Sequence, residues 1–404
     1  MARTWLIAAM TGWGSFGAWA WIILIVQFVI HRRLVIQLKD CPAEPPEGGW
    51  PSLSVVFAAR NEAGTVGQAT RSILAQDYPG LVVVAVDDRS TDGTGPILDA
   101  LAGEDAWLRV VHVRELPPGW LGKNHALQTA AESVSSDWLL FTDADVVFAP
   151  DALKRAVALA VSGGLDHLTL APDMPTESFG ERIFVSMFIL LFALSSPPSW
   201  VLNPRKKASV GVGAFNLVRA EAFRSIGGFC RLALSVDDDM RLGQALKFGG
   251  YRNGICLGQS TVSVRWQVGL GGMIRGLEKN FFAALDFRLA LVPFAVLAIL
   301  TVGVMPYVGL FVGRWWQRAI CAAGVASVVA LLGAMRGQNG VRWYHGLSLP
   351  VGALAMVAAL LRSVAVTLWN GGIRWRDHDY PLAELKDHVR LRNAWASEVW
   401  RSTR

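Results

Sequence analysis

Cysteine is scarce in this 404-residue chain: Cys41, Cys230, Cys256 and Cys321 are scattered and form no Cys-x-x-Cys pair. The scatter argues against a zinc knuckle or a disulfide framework and fits a reducing compartment. The seven histidines are dispersed, with no pair at zinc spacing. A Gly-x-Ser-x-Gly elbow is absent, as is a Gly-x-x-x-x-Gly-Lys-Ser/Thr phosphate loop. No Gly-x-Gly-x-x-Gly follows the first strand-like run, so nothing recommends dinucleotide binding. Charge is thin, at 17% Asp, Glu, Lys and Arg, and the chain shows neither an internal repeat nor a low-complexity tract.

What fills the chain is apolar: 52% hydrophobic residues, 17 tryptophans and a mean hydropathy of +0.36. Such an excess points to lipid contact, with Trp enriched where rings meet headgroups. The net charge of +6 is modest, and basic loops facing an anionic leaflet account for it better than nucleic-acid binding does. The nearly unbroken apolar run from about residue 5 to residue 30 ends in His31-Arg32-Arg33. Ala18-Trp19-Ala20 resembles a signal cleavage site, but the run continues to Ile30, too long for a signal core and right for a span. Residues 1–32 are therefore expected to be a transmembrane anchor. Arg32, Arg33 and Lys39 place the chain downstream of the anchor in the cytoplasm by the positive-inside rule.

A Pro/Gly-rich linker, Cys41 to Pro51, opens a globular stretch over residues 50–288. Apolar runs near 289–312, 317–335 and 347–369 predict a C-terminal transmembrane region over 289–370, followed by a basic amphipathic tail, 371–404. Three spans there would leave the tail (Arg374, Arg376, Lys386, Arg390, Arg392, Arg401, Arg404) outside, which the positive-inside rule opposes, unless one run is re-entrant or interfacial. The run Ile183 to Val201 ends at Ser-Ser-Pro-Pro inside the globular stretch. An interfacial helix fits it better than a span, with a buried core helix as the alternative.

Within the globular stretch, strand-like runs Leu53–Ala58, Leu81–Val86, Leu108–Val113 and Trp138–Phe141 alternate with helix-like segments Val66–Gln76 and Ala126–Ser133. That alternation predicts βαβ units in a mostly parallel sheet, an α/β Rossmann-like fold with helices on both faces. Ligands bind such sheets at the carboxyl ends of the strands. Those ends are acidic or polar here: Ala58-Ala59-Arg60-Asn61-Glu62, Asp87-Asp88 before Ser90-Thr91-Asp92-Gly93-Thr94, and Asp143-Ala144-Asp145. Paired carboxylates suit a hard cation, Mg²⁺ or Mn²⁺, that also grips phosphate oxygens. Ser90, Thr91 and Asp92 read as caps of the following helix; Asp87 and Asp88 exceed what capping needs. Asp237-Asp238-Asp239 opens a further helix, where acids complement the dipole. Three consecutive acids are more than a helix start requires, and crowding can raise one pKa toward a general-base value. In Gly119-Trp120-Leu121-Gly122-Lys123-Asn124 the glycines allow close backbone approach and Lys123 offers a point charge to a phosphate. Arg265, Trp266, Arg275 and Lys279, just before the C-terminal apolar runs, are contacts for a diphosphate or lipid acceptor, or anchors at the interface.

These motifs, in this order, resemble family 2 glycosyltransferases of the GT-A fold over about residues 50–280. The resemblance rests on AARNEA (58–63), VDDRSTDGT (86–94), TDAD (142–145) and VDDDMRL (236–242). GWLGKNHAL (119–127), GLEKN (276–280) and IRWRDHDYPLAEL (373–385) look like membrane members acting on carotenoids or of the hopene-associated group. The resemblance implies nucleotide-sugar contacts from Ala59, Asn61, Glu62, Asp87, Asp88, Lys123 and Asp143, and a metal on Asp145 with Asp143. It places the family's Glu-Asp pair on Asp238 and Asp239, with Asp239 as catalytic base; Asp at 238 departs from the pattern. It further implies an inverting transfer from a nucleotide-diphosphate sugar, a UDP-sugar ahead of others, to a membrane lipid, at the inner membrane with the sheet domain cytoplasmic. The rivals are a polysaccharide synthase, disfavoured because Gln-x-x-Arg-Trp is absent, a polyprenyl-phosphate glycosyltransferase, a nucleotidyltransferase, and a non-catalytic membrane scaffold with a relic sugar-nucleotide domain.

Overall fold

The computed structural model describes residues 2–335 and 339–403. Met1 of the expected anchor, residues 336–338 of the expected C-terminal region and Arg404 of the basic tail lie outside them. The chain divides into two compact units, each assembled from separated segments. One comprises residues 34–173, 198–265 and 384–404; the other takes the N-terminal 33 residues, 174–197 and 266–383. This division is not the linear one expected from the sequence: residues 174–197 and 266–288 leave the sheet unit, and 384–404 return to it.

The sheet unit is built on eight strands: β1 (Leu53–Ala59), β2 (Leu81–Asp88), β3 (Leu108–Val113), β4 (Trp138–Asp143), β5 (Val146–Phe148), β6 (His167–Asp173), β7 (Asn216–Arg219) and β8 (Asn253–Val264). Their order is β3-β2-β1-β4-β7-β6-β8-β5. The first four are parallel; β7 is antiparallel to β4 and β6, and β5 is antiparallel to β8. The result is the mixed, mostly parallel sheet that the βαβ alternation predicts.

The strands read as unbroken apolar runs because both faces are covered, as parallel sheets require. Side chains alternate faces along a strand. Leu53, Val55 and Phe57 of β1, Val83 and Ala85 of β2, and Trp138 and Leu140 of β4 enter one core with Val66, Ile73, Leu98, Leu101 and Val157 from helices. Val56, Val84, Val86, Leu139 and Phe141 enter the other, against Ala126, Leu127, Ala130, Leu242 and Leu246. The same alternation decides the strand ends. Asp88 and Asp143 fall on the face shared with the helix Gly122–Glu132, while Asp87 falls on the face of the helix Thr94–Glu104.

The second unit is mostly helical, with one antiparallel ribbon of Gly372–Trp375 and His378–Pro381. Among its described residues the helices Ala9–Ile30, Trp315–Ala334 and Trp343–Trp369 are long and apolar enough to cross a membrane, as is Phe179–Leu202. The run expected near 289–312 is instead two short helices, Val292–Gly303 and Met305–Gly309. Pro306 is the cause: it has no N–H to give the Val302 carbonyl. Trp21 supplies the missing donor, its indole N–H meeting that carbonyl at 2.7 Å. Small residues permit the close approach, since a Cβ on Gly17 would lie 1.9 Å from the Thr301 carbonyl oxygen.

Candidate active site

The acids predicted from separate motifs meet around one lysine. Lys123, in the first turn of the helix Gly122–Glu132, places its ammonium 2.8 Å from Asp143 and 3.2 Å from Asp238. Asp143 ends β4 and Asp238 begins the helix Asp238–Phe248, so three distant segments share one cation. The acids hold the Lys123 ammonium well above the usual lysine range, against the opposing effect of burial.

Asp239 is half-buried, and both its oxygens accept backbone N–H groups: Gly213 at 2.7 Å and Met240 at 2.8 Å. Burial, followed by the neighbouring Asp238, pushes its carboxyl up to about 7, while Lys123 pulls the other way. Asp145 is also pushed up to about 7, first by burial and then by Asp143 and Glu62. The acids of this group thus feel one another's charge. Beneath them lies a small cavity lined by Lys123, Phe141, Thr142, Gly213, Asp238 and Asp239.

The turn that presents Gly213 is not among the motifs read from the sequence. Its signal there is Gly211-Val212-Gly213 ahead of β7. A Cβ on Gly211 would lie 1.7 Å from the Asp239 carbonyl oxygen, and one on Gly213 would lie 2.5 Å from an Asp143 carboxylate oxygen. The glycines are there because two acidic segments come within reach of a third.

The first two strand ends are stitched together. Asn61, at φ 56°, accepts the Thr91 N–H at 2.8 Å, and its own N–H meets the Ser90 hydroxyl at 3.1 Å. The Glu62 N–H meets the Thr94 hydroxyl at 2.8 Å. Ser90, Thr91 and Thr94 therefore join two loops; the N-cap of the following helix is Gly93, and of the three residues expected to cap it only Asp92 reaches the helix start, accepting the Thr94 N–H at 2.9 Å. Asp87 and Asp88, expected to act together, point to opposite faces. Asp87 accepts from the Ser90 N–H and lies 3.0 Å from His112, whose other ring nitrogen is 2.9 Å from Asp99. Those two carboxylates raise the His112 pKa, Asp99 the more. Asp88 is buried against the Arg89 guanidinium at 2.8 Å, with Arg60 at 3.8 Å. Ala59 lies beside Asp87 in the register of β1 and β2.

Of the expected diphosphate or acceptor contacts, Arg265 follows β8 in the sheet unit, while Trp266, Arg275 and Lys279 belong to the helical unit. Trp266 packs against Phe188 at 4.7 Å, and Lys279 sits 3.3 Å over the ring of Trp375.

Among the described residues, no three His, Cys, Asp or Glu side chains converge as a closed metal cage. The donor set still fits a hard divalent cation. Mg²⁺ and Mn²⁺ are commonly held by one or two carboxylates plus substrate phosphates. Asp143 and Asp145 supply the two, in a neighbourhood whose negative charge already raises the Asp145 pKa.

Sheet order, strand-end acids and helical cover together define a GT-A fold. A mannosyltransferase from Pyrobaculum calidifontis, solved in complex with GDP-Man and Mn²⁺, superposes with a TM-score of 0.52 over 90% of this chain and 99% of its own, at 21% identity. Residues 54–227 match the family model for Glycosyl transferase family 2, and the chain carries a family 2 glycosyltransferase domain. It is 30% identical over 176 residues to a beta-monoglucosyldiacylglycerol synthase of Synechocystis sp., covering 41% of this chain and 35% of that one. It is 28% identical over 199 residues to a 4,4'-diaponeurosporenoate glycosyltransferase of Staphylococcus aureus, covering 48% and 51%. The chain thus spans at most about half the length of these curated relatives.

Proposed function

We propose that the chain is a metal-dependent, inverting glycosyltransferase that moves one sugar from a nucleotide diphosphate to a membrane lipid. The observation that carries this reading is the meeting of Asp143, Lys123 and Asp238, with Asp239 alongside, at the carboxyl end of a GT-A sheet. One named relative is a synthase of beta-monoglucosyldiacylglycerol and the other a glycosyltransferase of 4,4'-diaponeurosporenoate, which supports a lipid acceptor.

Asp239 is the base in this reading. A carboxyl near 7 is ionised in part at neutral pH and basic enough to take the proton an attacking hydroxyl loses. The Gly213 and Met240 N–H groups fix its plane, leaving further lone pairs for that proton. Asp238 holds Lys123 in place. Lys123 offers its charge to the donor's phosphates, and the loops at Ala59, Asn61, Glu62, Asp87 and Asp88 take the nucleoside, a UDP-sugar ahead of other bases. A divalent cation on Asp143 and Asp145 would neutralise charge on the leaving diphosphate.

Chain connectivity supports a definite membrane arrangement. β6 ends at Asp173, and its partner β7 begins at Asn216, so an odd number of crossings between them would split one sheet across a bilayer. The apolar helix Phe179–Ser195 therefore lies along the interface. The C-terminal residues also pack on the sheet unit, with His388 3.2 Å from Ser235. Crossings between β8 and that tail must be even in number. Trp315–Ala334 and Trp343–Trp369 supply two. The 12-residue helix Val292–Gly303 rises about 18 Å, short of the ~30 Å hydrocarbon core, and fits a re-entrant element. The tail is then cytoplasmic, and its basic residues agree with the positive-inside rule.

The test is transfer of labelled sugar from a nucleotide donor to total membrane lipid, with products sized by mass spectrometry. Wild type should add one sugar to a lipid, and Asp239→Asn should abolish transfer with donor affinity within about twofold. Transfer by Asp239→Asn near the wild-type rate would end the base assignment; long polymeric products would favour a synthase.

A further inference from the structure

The loop leading into the three aspartates, residues 232–236, is held from two sides. From the motif helix, the buried Asn124 amide donates to the carbonyls of Leu232 at 2.7 Å, Ala233 at 3.3 Å and Ser235 at 3.0 Å. The Leu121 N–H adds a bond to the Ala233 carbonyl at 2.8 Å. From the tail, the helix Leu382–Ser402 buries Leu385, Val389, Arg392 and Ala396. Arg392 donates to the Ser235 hydroxyl at 3.3 Å, and the His388 ring nitrogen lies 3.2 Å from the same oxygen. Farther along, Trp400 meets the Phe248 ring at 5.0 Å, and the Thr403 hydroxyl donates to the Phe248 carbonyl at 3.1 Å.

These bonds form one directed chain. Arg392 can only donate, so the Ser235 oxygen accepts from it and the Ser235 hydroxyl hydrogen is free to go to His388. A neutral imidazole is needed to accept it, and burial, with Arg392 beside it, lowers the His388 pKa to about 4. Ser235 lies two residues before Asp237, and Asp237 is the N-cap of the helix that starts with Asp238 and Asp239. A cationic side chain only 6% exposed on a tail helix, aimed at the loop of the acids, does more than cover an apolar face.

We propose that Arg392 and His388 are positioning residues for the catalytic acids, acting through Ser235. The C-terminal helix is a strap that fixes where Asp238 and Asp239 stand. This rests on the reading of Asp239 as base. Because a displaced Asp239 loses its alignment with the reacting atoms while Lys123 keeps its 2.8 Å contact with Asp143 on β4 and the nucleoside loops stay intact, loosening the strap should slow turnover and leave donor binding in place.

The experiment uses the full chain in lipid nanodiscs, with Arg392→Gln, the milder Ser235→Ala, and Arg390→Gln on the exposed side of the same helix as control. Amide hydrogen exchange over residues 232–240 is read beside turnover and donor KM. Arg392→Gln and Ser235→Ala should speed that exchange tenfold or more and cut turnover at least tenfold, with donor KM within twofold and Arg390→Gln unchanged. Exchange at the wild-type rate in both variants overturns the strap, as does faster exchange with unaltered turnover. Loss of activity that follows loss of folded protein in Arg392→Gln, with Ser235→Ala like wild type in both readouts, assigns the tail to packing and also overturns it. Asp239→Asn separates the two readings: if it transfers sugar normally, the base assignment fails, whereas an inactive Asp239→Asn beside a fully active Ser235→Ala and Arg392→Gln defeats the strap alone.

Discussion

The Lys123 ammonium stands 2.8 Å from a carboxylate oxygen of Asp143. It is 3.2 Å from Asp238, so it neutralises charge between a strand end and a helix start. Lys123→Met leaves those acids facing one another without that cation. The expected result is a donor affinity at least tenfold weaker, about 1.4 kcal/mol, measured by titration calorimetry at fixed Mn²⁺. Equal affinity in variant and wild type removes the phosphate role from Lys123.

Asp145→Ala should uncouple donor binding from metal. Wild type is expected to bind donor more tightly with Mn²⁺ than with a chelator present, and the variant to show little difference between the two. A variant that retains the full Mn²⁺ effect excludes Asp145 as a ligand.

Gly211→Ala should destabilise the sheet unit and displace Asp239, because its Cβ would meet the Asp239 carbonyl oxygen at 1.7 Å. Overpacking of this kind costs about 1–3 kcal/mol, readable as a lower thermal midpoint together with reduced turnover. An unchanged midpoint would mean that the turn shifts freely and does not fix the acids.

Acid should loosen the tail. His388 is neutral when docked, with Arg392 on its own helix opposing its protonation and Asp237 across the loop favouring it. Its pKa is lowered from 6.5 to about 4, so the unfolded chain binds a proton that the folded chain refuses in that interval. This contribution to stability is whole above pH 6.5 and declines as pH falls toward about 4. His388→Gln should flatten that part of the profile of thermal midpoint against pH. Parallel profiles for variant and wild type would rule His388 out as its source.

Much of the sheet is legible in the sequence because buried parallel strands are written as continuous apolar runs. Leu108–Val113 matches β3 at both ends, and β1, β2 and β4 differ from expectation by one or two residues at their carboxyl ends. Those extra residues are Ala59, Asp87-Asp88 and Thr142-Asp143; at the last four the strand still pairs its backbone while its side chains turn polar. The convergence of Asp143 with Asp238 is legible only through the family pattern, since nothing in the intervening chain states a distance. Partner choice is less visible still. The sequence marks Asp87 and Asp88 as one pair, but alternation along β2 sends them to His112 and to Arg89 on opposite faces. Gly211 and Gly213 are visible as a pair of glycines ahead of β7, but their role is not, because its reason lies in the close approach of two other segments. The run Ile183 to Val201 reads as interfacial from its place inside the globular stretch; it forms the helix Phe179–Ser195, and the pairing of β6 with β7 on either side of it supports the same reading.

The tail helix follows the last apolar segment in the chain and docks beside the loop that begins the acid cluster about 150 residues earlier. The sheet unit thus closes on itself across the whole of residues 266–383, and the contacts around the Ser235 oxygen join segments farther apart in sequence than any two paired strands of the sheet.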